Sequence, residues 1–221
     1  MPASRTNQLL LLGHRGARAF KSIPENSLAS FDHALADGCD GFEFDVRLTA
    51  DSQAVICHAP RIKRTDIAKT SDQELNALAG LREVLSRYQD RAFLDIELKV
   101  AGLEKITLDL LKEFPPARGF VVSSFLPSIL EAVHDENEAV PLGLICEKKS
   151  QLKWWTKLPV VYVVAQTALV NAALIDKLKT AGKKIFVWTV NSPAQMQRLA
   201  NLGVDGIISD KTDLLCRILR G

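Results

Sequence analysis

The chain predicts an α/β fold, a single (β/α)8 TIM barrel with a short hairpin and a small insertion after the second strand. Three observations carry this. Eight short apolar or β-branched runs recur along the 221 residues, helical-period segments separate them, and charged side chains gather at the C-terminal ends of several runs. Such alternation gives a parallel sheet covered by helices. Barrels of this kind place their active sites at the C-terminal ends of the strands. The length is slightly short for a barrel but enough to bury one sizeable core, so residues 1–221 are read as one domain.

The strands are expected at residues 9–12, 41–46, 92–99, 120–123, 142–146, 160–165, 184–189 and 206–209. Leu28, Phe31 and Leu35 share a helical face that stops at Gly38, and Leu103, Ile106, Leu110 and Phe114 repeat the pattern before Pro115. Leu174, Ile175, Leu178 and Ala181 precede Gly182. Ser192-Pro193 opens a helix carrying Met196, Leu199 and Ala200 before Gly203, and Leu214, Leu215, Ile218 and Leu219 mark a further helix. Ser71-Asp72-Gln73-Glu74 is a capping-box pattern, predicting a helix that starts at Ser71 and resumes through Leu81, Val84, Leu85 and Tyr88 as the second barrel helix. The segment 148–157, with Trp154-Trp155, suits either helix or loop.

A ninth run, residues 54–57, follows Val46 too closely for a parallel crossover. It predicts an antiparallel hairpin turning at Asp51-Ser52. Asp45 lies six residues before Asp51 and His58 six after Ser52, which places the two opposite each other. The insertion at 60–80 comes next.

Composition is that of an ordinary globular chain, 47% hydrophobic and 24% charged. The net charge of +2 is too weak a field to argue for nucleic acid or a membrane surface, so no nucleic-acid partner and no stable membrane association are expected. The apolar stretch 9–12 is too short for a secretory signal, and no run approaches the roughly 18 apolar residues of a membrane span. Cys39, Cys57, Cys146 and Cys216 show no metal-type spacing and read as inert core thiols in a reducing, cytoplasmic compartment. The absence of nucleotide-binding fingerprints predicts no organic cofactor.

Residues two apart on a strand share a face, so Glu43 and Asp45 point together, as do Asp95, Glu97 and Lys99. Burying such carboxylates costs several kcal/mol each, to order of magnitude, unless cations compensate. Nearby Lys or Arg could serve, and so could a hard divalent metal, Mg2+ or Ca2+, given oxygen donors without Cys or paired His. His14-Arg15, within Gly13-His14-Arg15-Gly16, sets an imidazole and a guanidinium after the first strand, where both could reach one phosphate. His33 and His134 read as solvated surface. Trp188 shares a strand face with Phe186 and Val190, and suits either core packing or a pocket wall.

Taken in order, His14-Arg15-Gly16, Pro24-Glu25-Asn26-Ser27, residues 38–46, Thr49-Ala50-Asp51, Val55-Ile56-Cys57-His58, Ile96-Glu97-Leu98-Lys99, residues 187–191 and residues 203–210 resemble the glycerophosphodiester phosphodiesterase family over nearly the whole chain. The resemblance implies hydrolysis of glycerophosphodiesters to an alcohol and sn-glycerol-3-phosphate. It implies His14 and His58 as the acid and base, and Glu43, Asp45 and Glu97 as ligands of a divalent metal, with Glu25 as a further ligand. Arg15 and Lys99 would neutralise the phosphate, and Trp188 and Phe125 would line the alcohol end. Two positions depart from the family: Ala59-Pro60 stands where His58 is usually followed by Asp, and Lys211 stands where proline is usual. The same barrel hosts lysophospholipase D and cyclic-phosphate-forming lyases acting on lipids, and a non-catalytic phosphate-binding barrel is the remaining alternative. Arg61, Lys63, Arg64 and Asp66 in the short insertion favour a small, water-soluble substrate. Water and the neighbouring glycerol hydroxyl both remain as attacking groups.

Overall fold

In the computed structural model, which describes residues 9–75 and 78–221, buried apolar runs and amphipathic helices alternate as far as a closed barrel. The elements are β1 (Leu10–His14), α1 (Leu28–Ala36), β2 (Gly41–Leu48), β3 (Ala54–Ile56), β4 (Arg61–Ile62), β5 (Thr65–Asp66), α2 (Leu81–Tyr88), β6 (Phe93–Leu98) and α3 (Glu104–Glu113). They continue with β7 (Phe120–Ser124), α4 (Pro127–Glu136), β8 (Leu142–Cys146), α5 (Lys149–Leu152), β9 (Tyr162–Gln166), α6 (Ala172–Thr180), β10 (Lys184–Trp188), α7 (Pro193–Leu202), β11 (Gly206–Ser209) and α8 (Thr212–Arg220). The sheet runs β1-β11-β10-β9-β8-β7-β6-β2-β3, and β1 also pairs with β2, so eight parallel strands close on themselves.

Both faces of these strands are covered, which is why β6 and β8 are buried at every position. Leu12, Phe93, Val121, Ile145, Tyr162, Val164, Phe186 and Ile208 form one cluster, and a second, larger one joins the strands to the helices. Gly41 has no room for a side chain, because a Cβ there would overlap the Phe93 carbonyl. Among the described residues, no helix is long and apolar enough to cross a membrane.

The hairpin is present with a one-residue difference in register. β2 and β3 pair antiparallel with Val46 opposite Ile56 and Leu48 opposite Ala54, so the turn centres on Asp51 rather than on the Asp51-Ser52 bond. Thr49 causes this: its Oγ1 donates to Asp51 Oδ1 (2.6 Å) and accepts from Gln53 N (2.9 Å), closing a five-residue turn with Ser52 left-handed (φ 59°). The Asp45 carbonyl therefore accepts from Cys57 N, and His58 lies one residue beyond.

The helix expected from Ser71 is a single 3-10 turn, Gln73–Leu75. Glu74 does reach back to Ser71 N (3.2 Å), as a capping box should. The turn does not propagate into α2, because Leu75 is buried beside Val55, Cys57 and Ile67 in a small separate core, and Ala79 and Gly80 are drawn out alongside β3. Asn76 and Ala77, within that expected helix, lie outside the described residues. The segment 148–157 forms α5 and a 3-10 turn, Lys153–Thr156, with Trp155 buried. His33 and His134 are half-buried rather than solvated, His33 with its ring 4.1 Å from that of Phe20. The four thiols are buried as expected, but two of them, Cys39 and Cys216, are in contact.

Candidate active site

The C-terminal mouth of the barrel opens into a cleft of about 240 Å³. His14, Arg15, Glu43, His58, Asp95, Glu97 and Lys99 form its polar side. Phe125, Ile145, Val164, Trp188 and Ile208 form the apolar side, with Glu147 among the lining residues.

Strand pairing assembles the acidic cluster. β2 and β6 are neighbours in register, Glu43 beside Asp95 and Asp45 beside Glu97, so two carboxylates on each strand meet across the pair. Glu43, Asp45 and Glu97 each present an oxygen within 4.8 Å of the others, and all three are buried. Glu25 stands outside this cluster: it is exposed, with Oε1 held by Arg15 Nη1 (2.9 Å) and Oε2 by Arg18 Nε (2.5 Å).

The cations are unevenly shared. Asp45 pairs with Arg15 Nε and Lys99 Nζ, each at 3.1 Å, and accepts from Asn26 Nδ2 at 2.8 Å. Burial raises its pKa, but Lys99, Arg15 and Asn26 outweigh burial and hold it below the usual carboxylate range. Burial, reinforced by Asp45, Glu97 and Asp95, pushes Glu43 well above that range. Burial and Asp45 push Glu97 up to about 7 despite Lys99 at 2.5 Å. Asp95, also buried, rises to about 7 although Ser123 Oγ donates to it at 2.6 Å. Two cations are therefore too few to keep every carboxylate ionised, and this surplus of hard oxygen donors fits a divalent ion.

His14 ends β1 with Nδ1 2.7 Å from Asp210 Oδ1 and Nε2 3.9 Å from Glu43 Oε2, so Nε2 is its cleft-side nitrogen. Asp210 is itself held by Asn191 Nδ2 (2.7 Å) and Arg18 Nη1 (3.3 Å). Burial opposes its ionisation, but the bond from His14 and the contacts of Asn191 and Arg18 keep its carboxyl far below the ordinary range. Arg15 adopts φ 52° and Asn26 φ 55°; Asn26 N donates to Arg15 O while Arg15 N donates to Glu43 Oε2 (3.0 Å). Left-handed backbone at non-glycine residues is strained and clusters at functional sites.

His58 is anchored differently. Its carbonyl accepts from Arg47 Nε (2.9 Å) and Nη2 (2.7 Å), which steadies the loop where Ala59 replaces the usual Asp. Its half-buried imidazole makes no hydrogen bond among the described residues. Burial lowers its pKa, and the Arg15 and Lys99 charges add to that against the pull of Asp45. Trp188 lines the cleft, its ring edge-on to Phe125 at 5.7 Å and its Nε1 bonded to Val164 O (3.1 Å). Lys99 Nζ lies 5.6 Å from the Phe125 ring centre.

Reading the sequence left Asn26, Arg47, Asn191 and Asp210 without roles and Asp95 without a partner. Asn26, Asn191 and Asp210 lie inside quoted motifs, but Asp210 meets His14 across 196 residues, which no local spacing reveals.

Buried acids and paired cations facing a cleft sized for a small anion define a (β/α)8-barrel phosphodiesterase. Residues 14–114 and 95–214 match the Glycerophosphoryl diester phosphodiesterase family, and the chain belongs to that family. It is thus a phosphoric diester hydrolase of the glycerophosphodiester phosphodiesterase type. A glycerophosphodiester phosphodiesterase of Caldanaerobacter subterraneus subsp. tengcongensis is 30% identical over 239 residues, covering 96% of this chain and 98% of the relative. Among solved structures, an Oleispira antarctica phosphodiesterase in complex with the product sn-glycerol-3-phosphate superposes with a TM-score of 0.85 at 24% identity, covering 96% of this chain and 97% of that one. The Thermotoga maritima glycerophosphodiester phosphodiesterase gives 0.83 at 23%, covering 96% and 98%.

Proposed function

We propose that this barrel hydrolyses small, water-soluble glycerophosphodiesters to an alcohol and sn-glycerol-3-phosphate, using a divalent ion, Mg2+ or Ca2+, and the pair His14 and His58. One observation carries the reading: the acidic cluster, both histidines and the cations Arg15 and Lys99 all meet in or beside one cleft. The product held by the Oleispira antarctica relative supports the same substrate class.

Glu43, Asp45 and Glu97 would hold the ion, with Glu25 as an outer ligand if the Arg15 and Arg18 contacts release it. Bound there, the ion supplies electrophilic charge to a phosphate oxygen. Arg15 and Lys99 neutralise the remaining phosphate charge. His58, with its lowered pKa, is neutral near pH 7 and takes the proton of the attacking oxygen, either water or the neighbouring glycerol hydroxyl. His14, oriented through Nδ1 by Asp210, presents Nε2 to the departing alcohol and delivers the proton that it takes up. Trp188 and Phe125 exclude water from the apolar side of the cleft and line the alcohol end.

The test is release of sn-glycerol-3-phosphate from glycerophosphoethanolamine or glycerophosphocholine, followed by a coupled assay after EDTA treatment and after Mg2+ or Ca2+ repletion. Release restored only by the metal supports the reading. Cleavage of lysolipid instead would transfer the function to lysophospholipase D chemistry. Binding without turnover would favour a phosphate-binding barrel.

A further inference from the structure

We propose that Cys39 and Cys216 form a redox site, a thiol pair that closes into an intramolecular disulfide on reaction with a low-molecular-weight disulfide such as oxidised glutathione. Cys39 lies in the turn between α1 and β2, and Cys216 lies on α8. They are 177 residues apart in sequence, yet their Sγ atoms are 3.7 Å apart. Each is only 7% exposed. Cys57 Sγ instead meets Ala59 O (3.4 Å) and Cys146 Sγ meets Leu144 O (3.9 Å), so neither of the other thiols faces a second sulfur.

Polar contacts hold the two segments together around the sulfurs. Thr212 Oγ1 donates to Asp37 Oδ2 at 2.5 Å, and Arg220 donates to the Gly38 carbonyl and the Asp40 carboxylate. On α8 these contacts bracket Cys216, four residues to either side; in the turn they bracket Cys39. Asp40 is tied in turn to Leu11 N (2.8 Å) on β1, so the frame spans the seam where the barrel closes. Closing the bond requires the sulfurs to approach from 3.7 Å to the ~2.05 Å of a disulfide.

The two thiols are not equivalent. The contact with Cys39 lowers the Cys216 pKa, burial opposes this, and the Arg220 guanidinium adds to it; the contact with Cys216 and burial push Cys39 up. Arg220 follows Cys216 by one helical turn on α8 and reaches across to Gly38 and Asp40, so its charge stands beside this sulfur, and we assign Cys216 as the attacking thiolate and Cys39 as the resolving thiol. Cys216 sulfur attacks the small disulfide, breaking its S–S bond and expelling one thiolate, which takes up a proton. Cys39 then loses its proton, attacks the Cys216 sulfur and expels the second small thiol. Both cysteines are oxidised, and one small disulfide is reduced to two thiols. The link closes a loop from the start of β2 to α8. Loops of that length constrain the unfolded chain most strongly.

The experiment is incubation of the full protein with oxidised glutathione, followed by intact mass, thiol titration and peptide mapping. The expected result is loss of two hydrogens, a fall from four titratable thiols to two, a Cys39–Cys216 peptide, and a rise in Tm of about 5–15 °C that dithiothreitol reverses. Activity should stay within twofold, since neither thiol lines the cleft. Cys39→Ser should arrest the reaction as one glutathione bound at Cys216, and Cys216→Ser should prevent it. Four thiols persisting in the oxidised wild type, or a link through Cys57 or Cys146, would overturn the proposal.

Discussion

The two histidines at the cleft stand on different kinds of support. His14 ends a barrel strand and is fixed by its side chain, through Asp210, Asn191 and Arg18, to residues brought in from the far end of the chain. His58 follows a three-residue strand outside the closed barrel and is fixed by its backbone, through Arg47 and the small core of Val55, Cys57, Ile67 and Leu75. The first arrangement sets the orientation of an imidazole ring; the second sets only where the imidazole is. A histidine that must hold a proton at a defined nitrogen needs the former, whereas one that must accept a proton needs mainly position and a low pKa.

The most severe test of this contrast is removal of the rings themselves. His14→Ala and His58→Ala should each lower kcat by roughly 10²–10⁴, the usual worth of a general acid or base. If either variant keeps near-native turnover with glycerophosphocholine, the two-histidine reading fails. Asp210→Asn separates the two supports. It should cost about 10–100-fold in kcat, as loss of an orienting partner typically does, with KM little changed and the alkaline limb of the pH profile moved. An equal loss in kcat and KM would instead mean that Asp210 merely maintains the mouth.

Arg47→Ala should act more gently, by about tenfold on kcat/KM, the equivalent of one or two charge-assisted hydrogen bonds. The same change should speed proteolytic cleavage within 60–80. An unaltered digestion rate would show that the small core alone positions the loop.

The smallest effect is on stability. In the folded, metal-free protein Asp95 and Glu97 bind protons more tightly than in the unfolded chain. The stability they contribute is complete below their ordinary values of 3.8 and 4.5 and is lost as pH rises through about 7. Tm of the EDTA-treated protein should therefore fall by a few degrees between pH 5 and pH 8. Mg2+ or Ca2+ should raise Tm more at pH 8, where the ligands are already deprotonated. A metal response independent of pH would show that Glu97 is not a ligand of the ion.

Much of this molecule is local and was legible as such. Strands such as 142–146 and 206–209 are short apolar runs between helical segments, and Glu43 with Asp45, or Glu97 with Lys99, share a face because a strand repeats every two residues. The capping box at Ser71 was equally legible but misleading, since burial of Leu75 in the small core ended the turn that the local signal began. The hairpin register slipped by one residue because Thr49, not the Asp51-Ser52 pair alone, determines where the chain reverses.

By itself, then, the sequence determined the alternation of elements, the faces on which the carboxylates stand and the family to which they point, because these depend on periodicities of two and 3.6 residues within one segment. Tertiary structure alone decided that Asp210 orients His14, that Arg47 steadies His58, that Glu25 is taken up by two arginines and that Cys39 meets Cys216. Each of these pairings depends on how the strands close and the loops fold over them, and spacing along the chain carries no record of it.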